Sequence, residues 1–404
     1  MARAFTIPAE YRAPLVTSIK KSRDEASARK KEFSPSEIIT KNLTFKLARH
    51  FGFCYGVENA IETAYRAISE NPQRRVFLLS EMIHNTRVNG DLEARGVKFL
   101  MDTAGNRKIP FNLLTPEDIV IVPAFGTTRE LFKEIEALGI NPLSYNATCP
   151  FVEKVWRRAS QLGEAGYSIV IHGKYSHEET RATFSHAVAT APSVVILDMN
   201  EARVLAEFIT GVRAPDTFKD VFRNKHSDGF DPRLHLTRIG VVNQTTMLAS
   251  ETQEISAYLK EVVTRHYPSD TATDHFADTR DTLCYATLEN QQSVHGLLAS
   301  GGDLSLVIGG YNSSNTSHLV EICEKSLPTF YIKDEKEIES LSRIHSFSLS
   351  TRAVTITDDW FPRKRPVTVL VTAGASCPDR IIEDVIRKVA SLCGEELNEY
   401  EKAI

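Results

Sequence analysis

The sequence predicts an α/β protein of three modules with mostly parallel sheets, related by a pseudo-threefold axis. Short β-branched runs alternate with amphipathic helical patterns along most of the chain, as expected of βαβ units. A length of 404 residues suggests two or three domains. A faint repeat also places a cysteine after a turn-like stretch and before a helical pattern three times, at Cys54, Cys149 and Cys284. Three modules of comparable size, each with a cysteine at a helix N-terminus, would converge around such an axis.

The alternation assigns individual elements. The predicted strands are Val76–Leu79, Asp118–Val122, Ser168–His172, Val194–Leu197, Ile239–Val242, Leu304–Ile308, Thr329–Tyr331 and Val367–Thr372. The predicted helices include Val57–Ile68, Arg129–Leu138, Val152–Leu162, Ser250–Arg265 and Arg380–Leu392. Two charged, turn-rich stretches, Gly211–Pro232 and Leu341–Arg365, interrupt the alternation and are predicted to be insertions on the surface.

The domain boundaries follow from these elements. Residues 1–45 contain three prolines, many charges and little periodicity, so they are predicted to wrap over the surface or stay mobile. The modules are predicted at residues 46–149, 150–276 and 277–378, with the insertions at about 211–232 and 341–365. A C-terminal helix and tail would occupy residues 379–404.

Composition and charge disfavour several partners. A net charge of −4 argues against a nucleic acid, because binding to a phosphate backbone needs a basic face. No run approaches the roughly 20 apolar residues that cross a bilayer, so no membrane partner is expected. The N-terminus lacks the apolar region of a secretory signal and carries acidic residues that are rare in transit peptides. A bacterial-type cytoplasm is therefore expected, with the plastid stroma as the alternative for a plant or algal source.

The six cysteines are too few for a disulfide scaffold, and they form no C-x-x-C pair. A helix N-terminus stabilises a thiolate, so Cys54, Cys149 and Cys284 could together bind one metal centre. Three protein ligands would leave one coordination position open, as in catalytic metal sites. The alternative is three small buried residues, which is the commoner state of any cysteine taken singly.

Eight motifs surround these cysteines in a fixed order. They are His50-Phe-Gly-Phe-Cys54-Tyr-Gly-Val, Glu81-Met-Ile-His84-Asn85, Asn146-Ala-Thr-Cys149-Pro150, Gly173-Lys-Tyr-Ser-His177-Glu-Glu179, Asn243-Gln-Thr245-Thr246, Asp281-Thr-Leu-Cys284-Tyr-Ala-Thr, Gly309-Gly-Tyr-Asn312-Ser313-Ser314-Asn315 and Val371-Thr-Ala-Gly374-Ala-Ser376-Cys-Pro378. From about Phe45 to Val385, the sequence resembles the LytB/IspH family of 4-hydroxy-3-methylbut-2-enyl diphosphate reductases. The long N-terminal segment and the insertions resemble its cyanobacterial or plant type.

The resemblance implies a reaction and a cofactor. The family removes the allylic hydroxyl of its diphosphate substrate with two electrons and two protons, in the last step of the methylerythritol phosphate route to isoprenoids. Its fold is three α/β modules in a trefoil around an iron–sulfur cluster, whose three ligands correspond to Cys54, Cys149 and Cys284. The cluster is a [4Fe–4S] centre with one open iron, or a [3Fe–4S] form that has lost it. Ferredoxin or flavodoxin is the expected electron donor.

The resemblance also implies a diphosphate pocket. Ser376 corresponds to a phosphate-binding serine, and His84 and His177 correspond to histidines whose protonated rings would give charge-assisted hydrogen bonds. The run Asn312-Ser313-Ser314-Asn315 follows a predicted strand and offers hydroxyl, amide and backbone donors to phosphate oxygens. Taken without the other motifs, this run would sooner be a helix cap or a turn.

Proton delivery requires an acid near the leaving hydroxyl. Glu179 corresponds to the family acid of the His-x-Glu motif, and Thr245 to the threonine that links hydroxyl, water and carboxylate. A carboxyl group in a dry site can hold a proton at neutral pH and donate it. The neighbouring Glu178 is expected to face solvent. Phe125 stands where many members have a pocket histidine, so Thr127 or Thr128 is expected to compensate.

Two other functions stay open on the residues alone. An iron–sulfur hydro-lyase would also use three cysteines and an open iron, but it would need no external electrons. A sensor or binding protein would use the metal for structure or regulation only. Neither a dinucleotide-binding nor a P-loop glycine fingerprint is present.

Overall fold

The computed structural model describes residues 5–26, 33–267, 274–277 and 282–397. In these ranges the strands are β1 (Ser36–Ile39), β2 (Leu43–Leu47), β3 (Val76–Leu78), β4 (Lys98–Phe99), β5 (Ile119–Ile121), β6 (Ser168–His172), β7 (Ser193–Ile196), β8 (Ile239–Asn243), β9 (Phe276–Ala277), β10 (Leu304–Ile308), β11 (Thr329–Ile332), β12 (Ile338–Ser340), β13 (Arg343–Ser348), β14 (Ala353–Asp358) and β15 (Val367–Ala373).

The α-helices of the same ranges are α1 (Pro14–Ala26), α2 (Tyr55–Glu70), α3 (Thr86–Ala94), α4 (Arg129–Ala137), α5 (Pro150–Glu164), α6 (Glu178–Ala187), α7 (Met199–Ile209), α8 (Phe218–Val221), α9 (Pro232–His235), α10 (Ala249–His266), α11 (Tyr285–Ala299), α12 (Ser314–Glu324) and α13 (Asp379–Leu392). Every strand and helix named from the sequence is present, with ends within two residues of the predicted ones.

Two compact units contain these elements. The first unit comprises Met1–Glu58, His84–Arg87 and Tyr285–Ile404, and the second comprises Asn59–Ile83 and Val88–Cys284. The three predicted modules each contain parallel strands, namely β3 to β5, β6 to β8, and β10, β11 and β15. The boundaries of the modules stay predictions.

The first unit is built on a sheet of five strands in the order β1-β2-β15-β10-β11. The edge strand β1 is antiparallel to β2, and the other neighbours are parallel, with Leu43 of β2 opposite Val367 of β15. Phe45, Leu306 and Val369 are fully buried on three of these strands. A strand buried on both faces carries apolar residues without alternation, which explains why β10 and β15 are evident in the sequence.

The N-terminal segment is an integral part of this unit. Leu15, Val16 and Ile19 of α1 are buried in the same core as the central strands. The carboxylate of Glu383 accepts the N–H groups of Leu15 at 2.9 Å and Val16 at 3.3 Å, which satisfies two otherwise unpaired donors at the start of α1. The described part of residues 1–45 thus lies over the unit with one face of α1 exposed and the other buried in its core, a packing that the sequence did not predict.

The predicted insertion at Leu341–Arg365 contains the greater part of an antiparallel meander, β12-β13-β14. Strand β14 is largely exposed, as a surface insertion would be. Ile344 and Trp360 are nevertheless buried, and the Trp360 ring lies edge-on to Phe330 at 5.2 Å. This stretch thus presents one surface to solvent and contributes the other to the core of the first unit.

The second unit contains two parallel sheets, with strand orders β4-β3-β5 and β7-β6-β8-β9. Every residue of β6 and β8 is buried, as expected of parallel strands covered on both faces. The polar ends of these strands, His172 and Asn243, are opposite each other in the register. Loops that carry chemistry follow both strands, at the carboxyl edge of the sheet where ligands bind in open α/β sheets.

The predicted surface insertion at Gly211–Pro232 is largely exposed, but it packs into the second unit through three aromatic side chains. Phe218, Phe222 and Phe230 are almost completely buried, and the rings of Phe218 and Phe230 stack at 4.8 Å. The charged residues of the stretch led to the prediction of a surface position. The three phenylalanines are nevertheless buried, because large aromatic side chains dominate the energetics of packing even in an otherwise polar stretch.

In the described ranges, no helix is long and apolar enough to cross a membrane.

Candidate active site

Three cysteines occupy the same local position in the fold. Cys54, Cys149 and Cys284 are each the residue immediately before a helix, α2, α5 and α11 respectively. Cys149 is the N-cap of α5, with Pro150 at its first position, where the missing N–H is not needed. The helix-start positions predicted from the repeat are confirmed. Asp281, in the third cysteine motif, lies outside the described residues.

Cys54 lies in the first unit and is fixed by its own backbone. Its N–H donates to the carbonyl of Ala375 at 3.3 Å, and its carbonyl accepts the N–H of Glu58 at 2.9 Å. Removal from water raises the pKa of the Cys54 thiol, while the N–H groups of Gly56 and Val57 at the start of α2 act in the opposite direction. Those donors stabilise a sulfur that carries negative charge, which is the form that binds a metal.

The side chain of Asn315, which contacts Ala375 next to this cysteine, has an N–H group that is unpaired within the described ranges. The Oδ1 of Asn315 accepts from the N–H of Ala375 at 3.0 Å and from Nδ2 of Asn290 at 3.3 Å. The Nδ2 of Asn315 is buried and has no hydrogen-bond partner in the part of the chain that the structure describes. A buried donor without a partner costs about 1–3 kcal/mol, so this amide is a candidate to bind a ligand.

Ser376 and His84 are in direct contact in the same unit. The Ser376 hydroxyl donates to the backbone carbonyl of His84 at 3.2 Å, and both side chains are buried. A Cβ at Gly310 would collide with that same carbonyl, so only glycine allows the approach of the two segments. Two predicted pocket residues from distant parts of the chain are thereby brought together.

The residues of the run Asn312-Ser313-Ser314-Asn315 lie in different environments at the start of α12. The Ser313 hydroxyl is the N-cap of α12 and accepts the N–H of Thr316 at 3.2 Å, so the capping interpretation is correct for this residue. Asn315 is buried and Asn312 is exposed. Because a capping hydroxyl still has its own proton, Ser313 can cap the helix and donate to an anion at the same helix N-terminus.

The second unit contains the predicted proton donor with its predicted partner. Glu179 is 1% exposed, and Thr245 binds both of its carboxylate oxygens. The N–H of Thr245 donates to Oε1 at 2.5 Å, and the hydroxyl donates to Oε2 at 3.0 Å. Such double contacts hold a carboxyl group in one orientation, which transfer of a proton to a positioned substrate requires.

Contacts connect this pair to two of the cysteines. The N–H of Cys284 donates to the carbonyl of Thr245 at 3.3 Å, and the N–H of Cys149 donates to the carbonyl of Ala124 at 2.9 Å. The next residue, Phe125, lies edge-on to the ring of His177 at 5.6 Å. His177 in turn caps α6, the helix that carries Glu179. These contacts form one continuous series in the second unit. It links five predicted site residues through Ala124 and Phe125, namely Cys149, His177, Glu179, Thr245 and Cys284.

The cap determines the state of His177. Its Nδ1 accepts the N–H of Glu179 at 3.2 Å and therefore carries no proton in this arrangement. The ring is then a neutral imidazole with its proton on Nε2. The protonated ring anticipated from the sequence does not fit this geometry.

Glu178 does not face solvent as predicted. It is 8% exposed, and its Oε1 accepts a hydrogen bond from the hydroxyl of Ser80. Two successive glutamates at the start of a helix diverge by about 100°, and both directions are covered by protein here. The spacing correctly selected Glu179 as the partner of Thr245, but it could not reveal a second buried environment.

Trp156 and His186 support the Phe125 segment, and the sequence did not identify them. The rings of Trp156 and His186 stack at 3.8 Å, and His186 Nε2 lies 3.3 Å from the Thr127 carbonyl. Gly126 has φ +74°, and a Cβ there would collide with the Trp156 ring. Burial lowers the pKa of His186 to about 4, so the ring is neutral above mildly acidic pH. Gly126 was the one sequence cue to this close approach.

Thr127 and Thr128 differ in their suitability to replace the missing histidine. The Thr128 hydroxyl is the N-cap of α4 and accepts the N–H of Leu131 at 3.3 Å. Thr127 is buried in the same segment as Phe125. The predicted compensation by either threonine stays a prediction.

The candidate ligands for a metal or a cluster are the three cysteines at the helix starts. In the described ranges, no group of three or more His, Cys, Asp or Glu side chains is close enough together to hold a metal ion. The donor chemistry nevertheless fits an iron–sulfur centre, since three cysteine side chains outside any disulfide stand at three helix starts. Two of them, Cys149 and Cys284, are joined by backbone contacts to the Phe125 segment and to the Glu179–Thr245 pair.

Comparison with known proteins gives a consistent result. The family model described as LytB protein matches residues 45–390. A curated relative from the cyanobacterium Gloeobacter violaceus, 4-hydroxy-3-methylbut-2-enyl diphosphate reductase, is 38% identical over 355 residues, which cover 87% of this chain and 84% of the relative.

Two solved structures resemble the fold. One, titled as (E)-4-hydroxy-3-methyl-but-2-enyl diphosphate reductase, the terminal enzyme of the non-mevalonate pathway, is 25% identical with a TM-score of 0.51, covering 85% of this chain and 98% of that one. The other, the E-1-hydroxy-2-methyl-but-2-enyl-4-diphosphate reductase from Plasmodium falciparum, is 20% identical with a TM-score of 0.60, covering 86% and 87%. These likenesses confirm the predicted α/β fold class with mostly parallel sheets.

Proposed function

The chain belongs to the LytB family, and we propose that it reduces 4-hydroxy-3-methylbut-2-enyl diphosphate to isopentenyl and dimethylallyl diphosphate, the last step of the methylerythritol phosphate pathway. It is an oxidoreductase, as the family is. The observation that carries the mechanism is the buried Glu179 carboxylate, held at both oxygens by Thr245 next to Cys284. This arrangement supplies a proton donor beside a thiol ligand.

The reaction defines what the protein must supply. The allylic C–O bond breaks and the hydroxyl leaves as water after taking one proton. The allylic carbon skeleton receives two electrons and the second proton, at either end of the allyl unit, which gives the two products. The protein therefore needs a source of electrons, a positioned acid and a site for the diphosphate.

The family uses an iron–sulfur cluster, and its proposed ligands here are Cys54, Cys149 and Cys284. The bound cluster, [4Fe–4S] or the [3Fe–4S] form without its labile iron, would supply electrons and a Lewis-acidic open iron. The three thiols must lose their protons to bind it, and a helix N-terminus favours that loss. These three cysteines are the proposed protein ligands, and a cluster held by them alone would keep one iron available as a Lewis acid.

Glu179 is proposed as the acid that protonates the leaving hydroxyl. Thr245 holds the carboxyl group and can share its own hydroxyl with the substrate, because a hydroxyl both donates and accepts. His177 would donate from Nε2, since its Nδ1 accepts the α6 cap. The edge of Phe125 against its ring limits the directions that this donor can take.

The diphosphate is proposed to bind to the polar residues of the first unit. Asn315 offers an unpaired buried N–H, and its Oδ1 accepts from Ala375, the residue before Ser376, whose hydroxyl contacts His84. Ser313 and Ser314 stand at the start of α12, where backbone N–H groups and the helix dipole favour an anion. Asn312, exposed at the edge of this run, would contact the outer phosphate.

A small electron carrier, ferredoxin or flavodoxin, is the proposed donor. The net charge of −4 supports neither a nucleic acid nor an anionic membrane surface as a partner. The proposed compartment is the cytoplasm, or the plastid stroma for a plant or algal source. None of the six cysteines is in a disulfide in the part of the chain that the structure describes, which is compatible with either reducing compartment.

Replacement of Glu179 tests the proposal. We expect Glu179→Gln to lower the turnover of the allylic alcohol diphosphate at least about 100-fold with an unchanged cluster, because general acid catalysis contributes 10²–10⁴-fold. Glu178→Gln is the matched control, since the amide oxygen can still accept from Ser80. Equal activity of Glu179→Gln and the wild type would reject Glu179 as the acid.

The reductase is distinguished from a hydro-lyase or a sensor by its need for electrons. Anaerobic incubation of cluster-loaded protein with substrate should give product only when a reductant is added. Turnover without a reductant would indicate a hydro-lyase. Substrate binding without turnover under reducing conditions would indicate a binding protein.

A further inference from the structure

The first unit has a pocket of about 240 Å³ whose wall includes Cys54. Three parts of the chain border it: the segment from Arg49 to Tyr55, the first turns of α11 and two basic side chains of α1. Tyr285 at its rim is 40% exposed. The pocket therefore offers an approach from the protein surface to the proposed cluster ligand.

The charge of this pocket is opposite to that of the protein. Lys20, Arg23 and Arg49 line it against one carboxylate, Glu289, while the whole chain carries a net charge of −4. A concentration of one sign of charge in a recess attracts partners of the other sign and accelerates their encounter. An acidic partner would thus be directed to this pocket on a protein that otherwise repels it.

The three cations have different roles. Arg23 is 7% exposed and donates to the carbonyls of Leu47 and Ala48, so it holds the chain in place. Lys20 forms an ion pair with Asp379 at 2.6 Å. The guanidinium of Arg49 makes only a long contact, 3.4 Å from Nη2 to the backbone carbonyl of Arg23, among the described residues. Its five donors suit a partner carboxylate, which arginine can bind with two hydrogen bonds.

Aromatic side chains border the same recess. Phe51, Phe53, Tyr55 and Tyr285 contribute to its wall, and Lys20 lies over the Phe51 ring at 4.8 Å. Aromatic residues and arginine are enriched where proteins bind one another, because they provide contact area at low entropic cost. The predicted diphosphate residues His84, Asn315 and Ser376 are not part of this wall.

We propose that this pocket is the docking surface for the electron donor, an acidic one-electron carrier protein whose redox centre is brought close to Cys54. This inference rests on the proposed function, which requires external electrons. The contact would be small and transient, as electron-transfer encounters are. Part of the surface comes from α1, so the N-terminal segment has a role in electron supply as well as in the core.

The test compares two sources of electrons in the cluster-loaded enzyme. With a [2Fe–2S] ferredoxin as donor at low ionic strength, we expect Arg49→Glu to lower kcat/KM for the donor about tenfold, because reversal of a charge acts mainly on the encounter rate. With a small chemical reductant, its turnover should equal that of the wild type. Arg49→Lys keeps the charge and should lose much less. The deficit should shrink as salt screens the interaction.

The control is Arg203→Glu, at an exposed arginine of α7 that does not line the pocket. Equal loss in Arg203→Glu would reduce the effect to overall charge, and an unchanged donor response of Arg49→Glu would overturn the docking surface. A raised KM for the allylic diphosphate with the chemical reductant would assign the pocket to substrate instead. If the wild type turns over with neither source of electrons, the proposed function itself fails.

Discussion

The Thr245–Glu179 contact gives the sharpest prediction. Thr245→Val keeps the side-chain shape and removes the hydroxyl that donates to Oε2 at 3.0 Å, while the N–H contact to Oε1 remains. A hydrogen bond to a charged group contributes about 1.5–3 kcal/mol. If the hydroxyl acts in the transition state, turnover should fall roughly 10- to 100-fold, since each 1.4 kcal/mol is about tenfold in rate.

The assay is anaerobic turnover with a chemical reductant, so that donor docking does not contribute. Iron quantitation on the same samples separates lost catalysis from lost cluster. Thr245→Ser keeps the hydroxyl and should stay within a few-fold of the wild type. Wild-type turnover by fully loaded Thr245→Val would refute the assigned role of this hydroxyl, and a loss shared equally by Thr245→Ser would point to packing by the methyl group.

Three further outcomes are expected. Cys54→Ser should abolish the cluster absorbance and turnover, whereas Cys377→Ser, at a thiol fully buried in the core, should keep the iron content of the wild type. Glu383→Gln should weaken the contact with the start of α1 and lower the free energy of unfolding by about 1–3 kcal/mol in urea titrations; no change would mean that the Leu15 N–H does not need the carboxylate. The pKa of His186 is about 4 when folded against 6.5 in its ordinary state, so its contribution to stability is present above pH 6.5 and lost as pH falls towards 4. His186→Gln should flatten the dependence of Tm on pH in that window, and an unaltered slope would contradict this assignment.

The parallel strands could be predicted because their burial requires a continuous run of apolar residues. β6 and β10 were placed without error at either end, since strands covered on both faces are apolar throughout. The N-terminal helix α1 was not predicted. Its partner is Glu383, near the other end of the chain, and nothing local to residues 1–45 reveals that carboxylate.

The candidate site shows the same division. The spacing in His177-Glu178-Glu179 identified the glutamate that contacts Thr245, because that contact depends on a motif of fixed length. The burial of Glu178 depends on Ser80, which is distant in sequence, and the neutral state of His177 depends on which atom caps α6. Tertiary contacts of this kind have no signature in one sequence.

The pairing of β2 with β15 has a consequence for biogenesis. Leu43 is opposite Val367, so the sheet that supports Cys54 joins the first strands of the chain to one of the last. On the ribosome, the uninterrupted stretch Val88–Cys284 of the second unit is available long before that sheet can close. Until then the backbone N–H of Cys54 lacks its partner, because that partner is the carbonyl of Ala375, which follows β15. We therefore expect insertion of the cluster to follow release of the complete chain, and chains truncated before β15 should take up no iron.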